Sequence, residues 1–536
     1  MKNKLIRQKG ITLIALVITI IVLLILAGIS ISMISSQDNI LNKATTAKEK
    51  TESAVIEEKR NLAQIEAEMN PWDGKTATEI KEGEGKEETP YLIRNAEELA
   101  FFRDKINSGD SNYNSGWYKL EKTINLNNVE WEPIGIYSSK PFKGHFDGNG
   151  YGIMNLNIKE ETKQTYTYRG FFEATQNATI ENLEILSGNV NGSEYKHLTV
   201  QTGALIGYAE NTSIVNCTNR AMVKGNWIGG VVGRGKNVTI TNCKNYGEII
   251  EINQKGGGII SYLTGGKVEN CINYGKITAG SKASGICSTL DSAEVNNCTN
   301  NGEIITNADQ AAGIVAYQIS GTVKNCINNT KVEAGTMVAG GIVANFAKGT
   351  AENCINNGEI IVKQQQAGGI IGLVHDGIVQ ECINNGNIIS ESKTSRGISG
   401  GIVGVLQGGE AKKCYNSGGV KVENYKTTEA LDVAGGVIGL LSETGSVSYC
   451  YSNCEIQGED LKGEVVAQWN SASTANISNC YYTGSNNGVG SKSETNTTIE
   501  VFEDSDGIVK KIEKLDSYEI FKEYIKSNFK DIEWNN

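Results

Sequence analysis

Residues 229–250 read GGVVGRGKNVTITNCKNYGEII, and the phrase inside them decides the fold. A glycine pair with small or apolar followers leads through a turn into Val-x-Ile-x-Asn-Cys, then Asn, then Gly-x-Ile. With the second glycine as anchor, the phrase recurs as Gly230/Cys243, Gly258/Cys271, Gly285/Cys298, Gly313/Cys326, Gly341/Cys354, Gly369/Cys382 and Gly401/Cys414, each pair 13 residues apart. From Cys217 to Cys414 the cysteine steps are 26, 28, 27, 28, 28, 28 and 32, so the length variation lies between one cysteine and the next glycine. A fixed period of this size marks a repeat architecture in which each unit contacts only its neighbours.

The spacing converts into side-chain directions. Cys354, Asn356, Gly358 and Ile360 lie at period 2 and share one face of an extended segment. An apolar residue three positions before the cysteine, such as Val268, Val295, Val323 or Val379, breaks that alternation and requires a bend. Asn242, Asn270, Asn297, Asn325 and Asn353 occupy the bend, and Asn tolerates the left-handed backbone of such corners. Short extended segments joined by tight bends describe one coil of a parallel β-helix, with equivalent residues stacked roughly 4.8 Å apart. Counting Leu156, Leu183 and the ten regular cysteines from Cys217 to Cys480 gives about twelve coils. The four prolines, Pro71, Pro90, Pro133 and Pro141, all precede the cysteine-bearing array, where a missing N–H would break ladder bonds.

Leucine at two of these positions identifies the cysteine site as an interior apolar position. Stacked neighbours in a parallel sheet stand too far apart for disulfides, so Cys243, Cys271, Cys298, Cys326, Cys354, Cys382 and Cys414 are expected as a ladder of free thiols, with Cys287 and Cys454 outside it. Asn245, Asn273, Asn300, Asn328, Asn356, Asn384 and Asn416 are expected to form an inward amide ladder. No Cys-x2-Cys pair occurs and His145, His197 and His375 are scattered, so no metal site or cofactor is expected.

The chain opens MKNKLIRQKG, and four basic residues precede an uncharged, mainly apolar run from Ile11 to Ile34, long enough to span a bilayer. The basic flank places the remainder outside. A plain signal anchor shares this design. Removing the first ten residues takes the formal charge from −11 to −15, which argues against nucleic acid as a partner. Lys9-Gly10 followed by Ile11-Thr12-Leu13-Ile14 resembles the type IV prepilin leader. The resemblance implies cleavage after Gly10 by prepilin peptidase and methylation of Ile11. The family's glutamate at the fifth mature position is Ala15 here, which removes the carboxylate that pairs with a neighbouring subunit's amine and implies a minor subunit, or a chain that never polymerises.

Downstream, Val55, Leu62, Ile65 and Met69 fall at helical intervals and extend a stalk to Pro71. The expected boundaries are a leader over 1–10, membrane helix and stalk over 11–70, a charged linker over 71–89, the β-helix over 90–484, and a C-terminal cap or tail over 485–536. Asn95 with Glu98 makes a capping box for a helix burying Leu99, Phe102 and Ile106, suited to cover the first coil. Asp516 with Glu519 opens a second helix carrying Ile520, Phe521, Tyr524 and Ile525. GVVG at 230–233, GIIG at 369–372, GIVG at 401–404 and GVIG at 436–439 resemble the phrase of bacterial GLUG-repeat surface proteins, which implies an extracellular β-helix associated with adhesion.

Parallel β-helices also carry polysaccharide lyases and hydrolases, which need carboxylates and basic residues on adjacent coils. The candidates Arg220, Arg234 and Asp291 stand isolated, so the chain is expected not to be an enzyme. The pairs Asp147 with Asn149 and Asp504 with Asp506 read as turn chemistry rather than calcium loops. The cysteine-to-glycine gap grows to 19 before Gly401 and 22 before Gly436, adding SESKTSRGIS and NYKTTEALDV after the same strand. Lys393, Arg396 and Tyr425 are therefore candidate contacts on one edge. The expected function is a membrane- or pilus-anchored extracellular surface protein presenting a binding surface, with a β-helix enzyme on extracellular polysaccharide as the alternative. The expected partners are the membrane, prepilin peptidase, pilin subunits, and a glycan or protein ligand.

Overall fold

The computed structural model describes residues 57–528 apart from 161–167, 194, 196–198, 392–395, 424–430, 459, 471–474, 494–508, 512–514 and 516. The leader, Gly10, Ile11, Ala15 and the expected span 11–34 lie outside the described residues, as do Lys393, Tyr425, His197, Asp504, Asp506 and Asp516. The chain divides into two compact units, Met1–Glu66 and Ala67–Asn536. The described part of the first, residues 57–66, is helical, with Arg60 paired to Glu57 at 3.0 Å. No helix among the described residues is long and apolar enough to cross a membrane.

The second unit is a parallel β-solenoid of about 13 turns. Its strands stack into sheets of 22, 14 and 20 members. One coil shows the path. Val343–Glu352 belongs to the first sheet, Ile355–Asn356 to the narrow second sheet, and Ile360–Val362 with Gln366–Gly368 to the third. Between the first and second sheets Asn353 turns the chain at φ 51°, as Asn242, Asn270, Asn297 and Asn325 do in their coils. Ala351 and Cys354 on either side of this bend both point inward and are fully buried, the interval of three that the sequence required. The inward residues of successive coils form one continuous apolar core.

All seven ladder cysteines are free and fully buried, and Cys287 and Cys454 are free as well. Burial pushes the Cys243 and Cys298 thiols well above the ordinary value. The amide ladder begins one coil earlier than expected, at Asn219. Its Nδ2 donates to Asn245 Oδ1 at 2.8 Å, and the series continues through Asn273, Asn300, Asn328, Asn356 and Asn384 to Asn416, with spacings of 2.8–2.9 Å.

Four details differ from the sequence reading. The narrow sheet has 14 strands, because Ile124–Asn125 and Val509–Lys511 add coils that lack the phrase. Leu183 does occupy the cysteine level, but the residue at that level one coil earlier is Tyr151, since Gly152 pairs with Glu184. Leu156 lies one corner later, in the third sheet, paired with Gly188. It imitates the phrase because Asn155, at φ 54°, makes the same left-handed bend before an inward apolar residue. Residues 71–89 are not a free linker: Trp72 and Ile80 are buried in the core, and the Leu92 amide donates to the Glu82 carbonyl.

The C-terminal helix, Tyr518–Asn528, does not cover the last coil. It lies on the outer face of the narrow sheet, where Phe521 stacks on Tyr451 at 5.5 Å and approaches Tyr415 at 6.2 Å. The N-terminal helix, Ala96–Ser108, does behave as a cap. Asn95 accepts from the Glu98 amide at 2.8 Å, and Leu99, Phe102 and Ile106 are fully buried. Glu98 reaches back to the Arg94 amide, one residue before the expected partner. Phe102 sits among Tyr118, Phe142 and Phe146, with ring centres 4.2–5.6 Å away, closing the aromatic interior of the first coils.

Candidate functional site

The glycine phrase builds a groove. In each coil the chain leaves the third sheet, turns at the glycine pair and enters the first sheet. The last position of the phrase holds Gly233, Gly372, Gly404 or Gly439, and Ser261, Ser288, Ala316 or Ala344 in other coils. A Cβ added to Gly372 would meet the Val338 side chain and the Ala339 carbonyl of the preceding coil, and one on Gly439 would meet Ile398 and Ser399 in the same way. The faces of the two sheets therefore meet at a re-entrant corner whose floor holds small residues from Gly207 onward, with Glu173 at the same level one coil earlier.

Two outward columns line this corner. On the first sheet, register places Tyr208, Arg234, Tyr262, Thr289, Tyr317 and Asn345 in line. On the third sheet the facing column runs Tyr168, Gln201, Trp227, Lys255, Lys282 and Gln310. The columns touch across the corner. Lys255 Nζ lies 4.3 Å from the Trp227 ring centre and 4.9 Å from that of Tyr262. Arg234 lies 5.2 Å from Tyr262, and Lys282 lies 5.9 Å from Tyr317. At the N-terminal end Tyr137, Tyr168 and Tyr208 form a triad with centres 4.5–4.9 Å apart. Towards the other end the lining becomes aliphatic, through Leu373, Ile398, Val405, Val433 and Leu440.

The electrostatics are those of a partly dry cleft. Burial, reinforced by Lys282 and Arg234, lowers the Lys255 ammonium to about 8, and burial also lowers Lys282. Glu173, beside the tyrosine triad, is raised by burial to about 7 although it accepts the Tyr137 amide at 2.9 Å. Among the described residues no carboxylate forms an ion pair with Lys255, Lys282 or Arg234, whereas Lys236, Lys331 and Lys363 elsewhere on the surface are paired. Trp227 Nε1, Thr289 Oγ1, Gln201 Oε1, Gln310 Oε1 and Asn345 Oδ1 are buried without a hydrogen-bond partner. Native proteins satisfy such atoms, so their concentration along one groove is a signal for a polar ligand.

The expected site residues fall elsewhere or play other parts. Arg396 is turned onto the solenoid, its Nε donating to the Leu431 carbonyl at 2.7 Å and its Nη2 to Gln468, so it is a structural tie rather than a free contact. The strands that precede the two insertions, Ile388–Ser390 and Val420–Val422, do pair. Arg220 pairs with Glu184 and lies 4.3 Å from the Tyr246 ring. Asp291 accepts from the Ser292 and Ser320 hydroxyls. Of the three isolated candidates, Arg234 alone enters the groove. Among the described residues no three His, Cys, Asp or Glu side chains converge as metal ligands. The groove was present in the sequence as two aligned columns, four residues after each second glycine and three before it, which residue identity alone does not reveal.

No family model matches the chain. Halomucin from Haloquadratum walsbyi is 26% identical over 171 residues, 30% of this chain and 2% of that protein, so the chain spans a small fraction of the relative's length. A solved structure of a protein provisionally called an immunoglobulin A1 protease, from Bacteroides ovatus, is 21% identical and covers 71% of this chain and 87% of its own, at a TM-score of 0.28 that is too low to argue from.

Proposed function

We propose that this chain is an extracellular, non-enzymatic surface protein that binds its ligand in the groove between the first and third sheets. The observation that carries the reading is the convergence there of aromatic rings, unpaired cations and unpartnered polar atoms. The basic flank and apolar run at 1–34 support anchoring at the membrane with the solenoid outside. The similarity to halomucin supports a surface or extracellular placement. Lys9-Gly10-Ile11 supports maturation by prepilin peptidase, and Ala15 fits a minor subunit of a pilus-like assembly rather than its major one.

One observation favours an enzyme instead: Glu173 and Lys255 both have protonation equilibria displaced toward neutrality, as acid–base groups do. They stand on different coils, and the carboxylate that acts on Glu173, Glu132, adds to its rise and has no described ion pair with Lys255. Incubating the full chain with extracellular polysaccharides separates the readings. Retention of intact polymer, lost on Tyr262→Ala, is the expected result, and release of shortened product would establish the enzyme.

A further inference from the structure

The groove's lining also indicates what chemistry it recognises, granted the reading of it as a binding surface. Trp227, Lys255, Tyr262 and Arg234 make its densest part, with Lys282 and Tyr317 continuing the pattern along the axis. We propose that this segment is a subsite for a carboxylated polysaccharide, whose sugar rings stack on Trp227 and Tyr262 while its carboxylates meet Lys255, Arg234 and Lys282.

Four features lead to that class. Among the described residues none of the three cations has a carboxylate within ion-pair distance, Asp309 acting on Lys282 only from farther away, while lysines elsewhere on the solenoid are paired within or between coils. An anion supplied from outside restores the charge-assisted bonds that this segment lacks. Trp227 and Tyr262, with centres 6.5 Å apart and planes 29° from parallel, offer flat apolar faces suited to the C–H faces of a sugar ring. The unpartnered Trp227 Nε1 and Gln310 Oε1 in the groove wall are a donor and an acceptor, a pair that hydroxyl groups can satisfy with a small side-chain shift. The lining repeats once per coil, roughly 4.8 Å, close to the length of one hexose unit along an extended chain.

The competing polymers fit less well. A peptide bound by strand addition needs a free sheet edge, and the groove walls are faces whose backbone bonds run between coils. A nucleic acid needs a long basic track, and this chain carries −11 with three cations in the segment.

The groups facing Lys255 set a pH dependence. Lys282 and Arg234 lower it, Cys287 acts the other way, and burial is the leading cause. Carboxylate binding therefore weakens as pH rises through about 8.

The test uses the full chain in detergent, with calorimetric titration of oligogalacturonate, the same oligomer fully methyl-esterified, and single-stranded DNA as probes. The variants are Lys255→Met, Tyr262→Ala and, outside the groove, Tyr246→Ala, each checked for native circular dichroism. Lys255→Met is expected to weaken the acidic oligomer about ten- to a hundredfold, narrowing its advantage over the ester. Tyr262→Ala is expected to weaken acid and ester alike, and Tyr246→Ala neither. Equal affinity for acid and ester, or tighter binding of DNA, overturns the carboxylate assignment. If Tyr262→Ala still abolishes that binding, the groove stands as the binding surface. Binding that ignores both groove variants, or no binding of either oligomer, overturns the proposal, and the former removes the groove reading with it.

Discussion

Asn356 shows how tightly each coil is tied to the next. Its amide donates to Asn384 Oδ1 at 2.8 Å and to its own Gly358 carbonyl at 2.8 Å, and its Oδ1 accepts from Asn328 at 2.8 Å, all fully buried. Replacing it with Ala strands one amide group on each neighbour, so Asn356→Ala is expected to cost about 1–3 kcal/mol, read as a lower denaturant midpoint. Glu173 carries the opposite kind of strain. Its folded carboxyl is raised from 4.5 to about 7 by burial, so the folded chain holds a proton that the unfolded chain releases over that window, and stability falls as pH rises through it. Glu173→Gln removes the dependence. The variant should melt above the parent near about pH 8 and level with it near about pH 4, where both states are protonated. A parent melting point that stays flat between those pH values counts against the burial described for this carboxyl.

At the scale of elements, the second glycine of the phrase is fixed by close approach. A Cβ at Gly341 would overlap the Gly369 carbonyl of the next coil and the Asn356 side chain of its own coil, with no positive φ involved. Gly341→Ala is therefore expected to destabilise by about 2–4 kcal/mol, more than Gly372→Ala, whose position holds Ala316 and Ala344 in the two coils before it, whereas larger residues at the second-glycine level stand near the ends of the array, at Ala204 and Glu464. The C-terminal helix makes a separate prediction. Phe521→Ala removes the ring packed on Tyr415 and Tyr451, so amide exchange should accelerate in Tyr415–Asn416 and Tyr451–Ser452 and stay unchanged in Ile272–Asn273. Faster exchange spread evenly over the narrow sheet would contradict the local packing. These elements also mark what was legible in the sequence. Period 2 around Cys354 and the bend at Asn353 follow from local rules and stand in the fold as read, and the cap at Asn95 does so apart from the return bond of Glu98, which goes to the Arg94 amide. Leu156 and the lateral seat of the last helix were misplaced, because the same Asn-apolar pair serves two corners and because Tyr415, Tyr451 and Tyr481 form a docking column only once register aligns them. The groove escaped for the same reason: Arg234, Tyr262 and Tyr317 differ in chemistry and meet only through coil stacking.

At the scale of the solenoid, the scaffold and the proposed recognition surface are divided by face. The inward positions repeat closely because each must match the coil above and below, so they carry stability. The groove columns change from aromatic and cationic at Trp227, Lys255 and Tyr262 to aliphatic at Leu373, Val405 and Leu440, a gradient that packing inside does not require. The proposed recognition accordingly falls in the aromatic part of the groove, away from Arg396, which the structure uses as a tie. For the anchored protein, mass spectrometry is expected to find a mature chain beginning at methylated Ile11. Retained Met1 would remove the pilus-like assembly while leaving the groove untouched. The most direct test of the central claim compares two double variants of the full chain for retention on immobilised glycan. Trp227→Ala with Tyr262→Ala disarms the groove, and Tyr246→Ala with Tyr274→Ala removes an exposed stacked pair, centres 4.7 Å apart, on another face. Loss of retention by the groove pair alone is the predicted result. Full retention by the groove pair, or loss by the Tyr246 and Tyr274 pair alone, would contradict it.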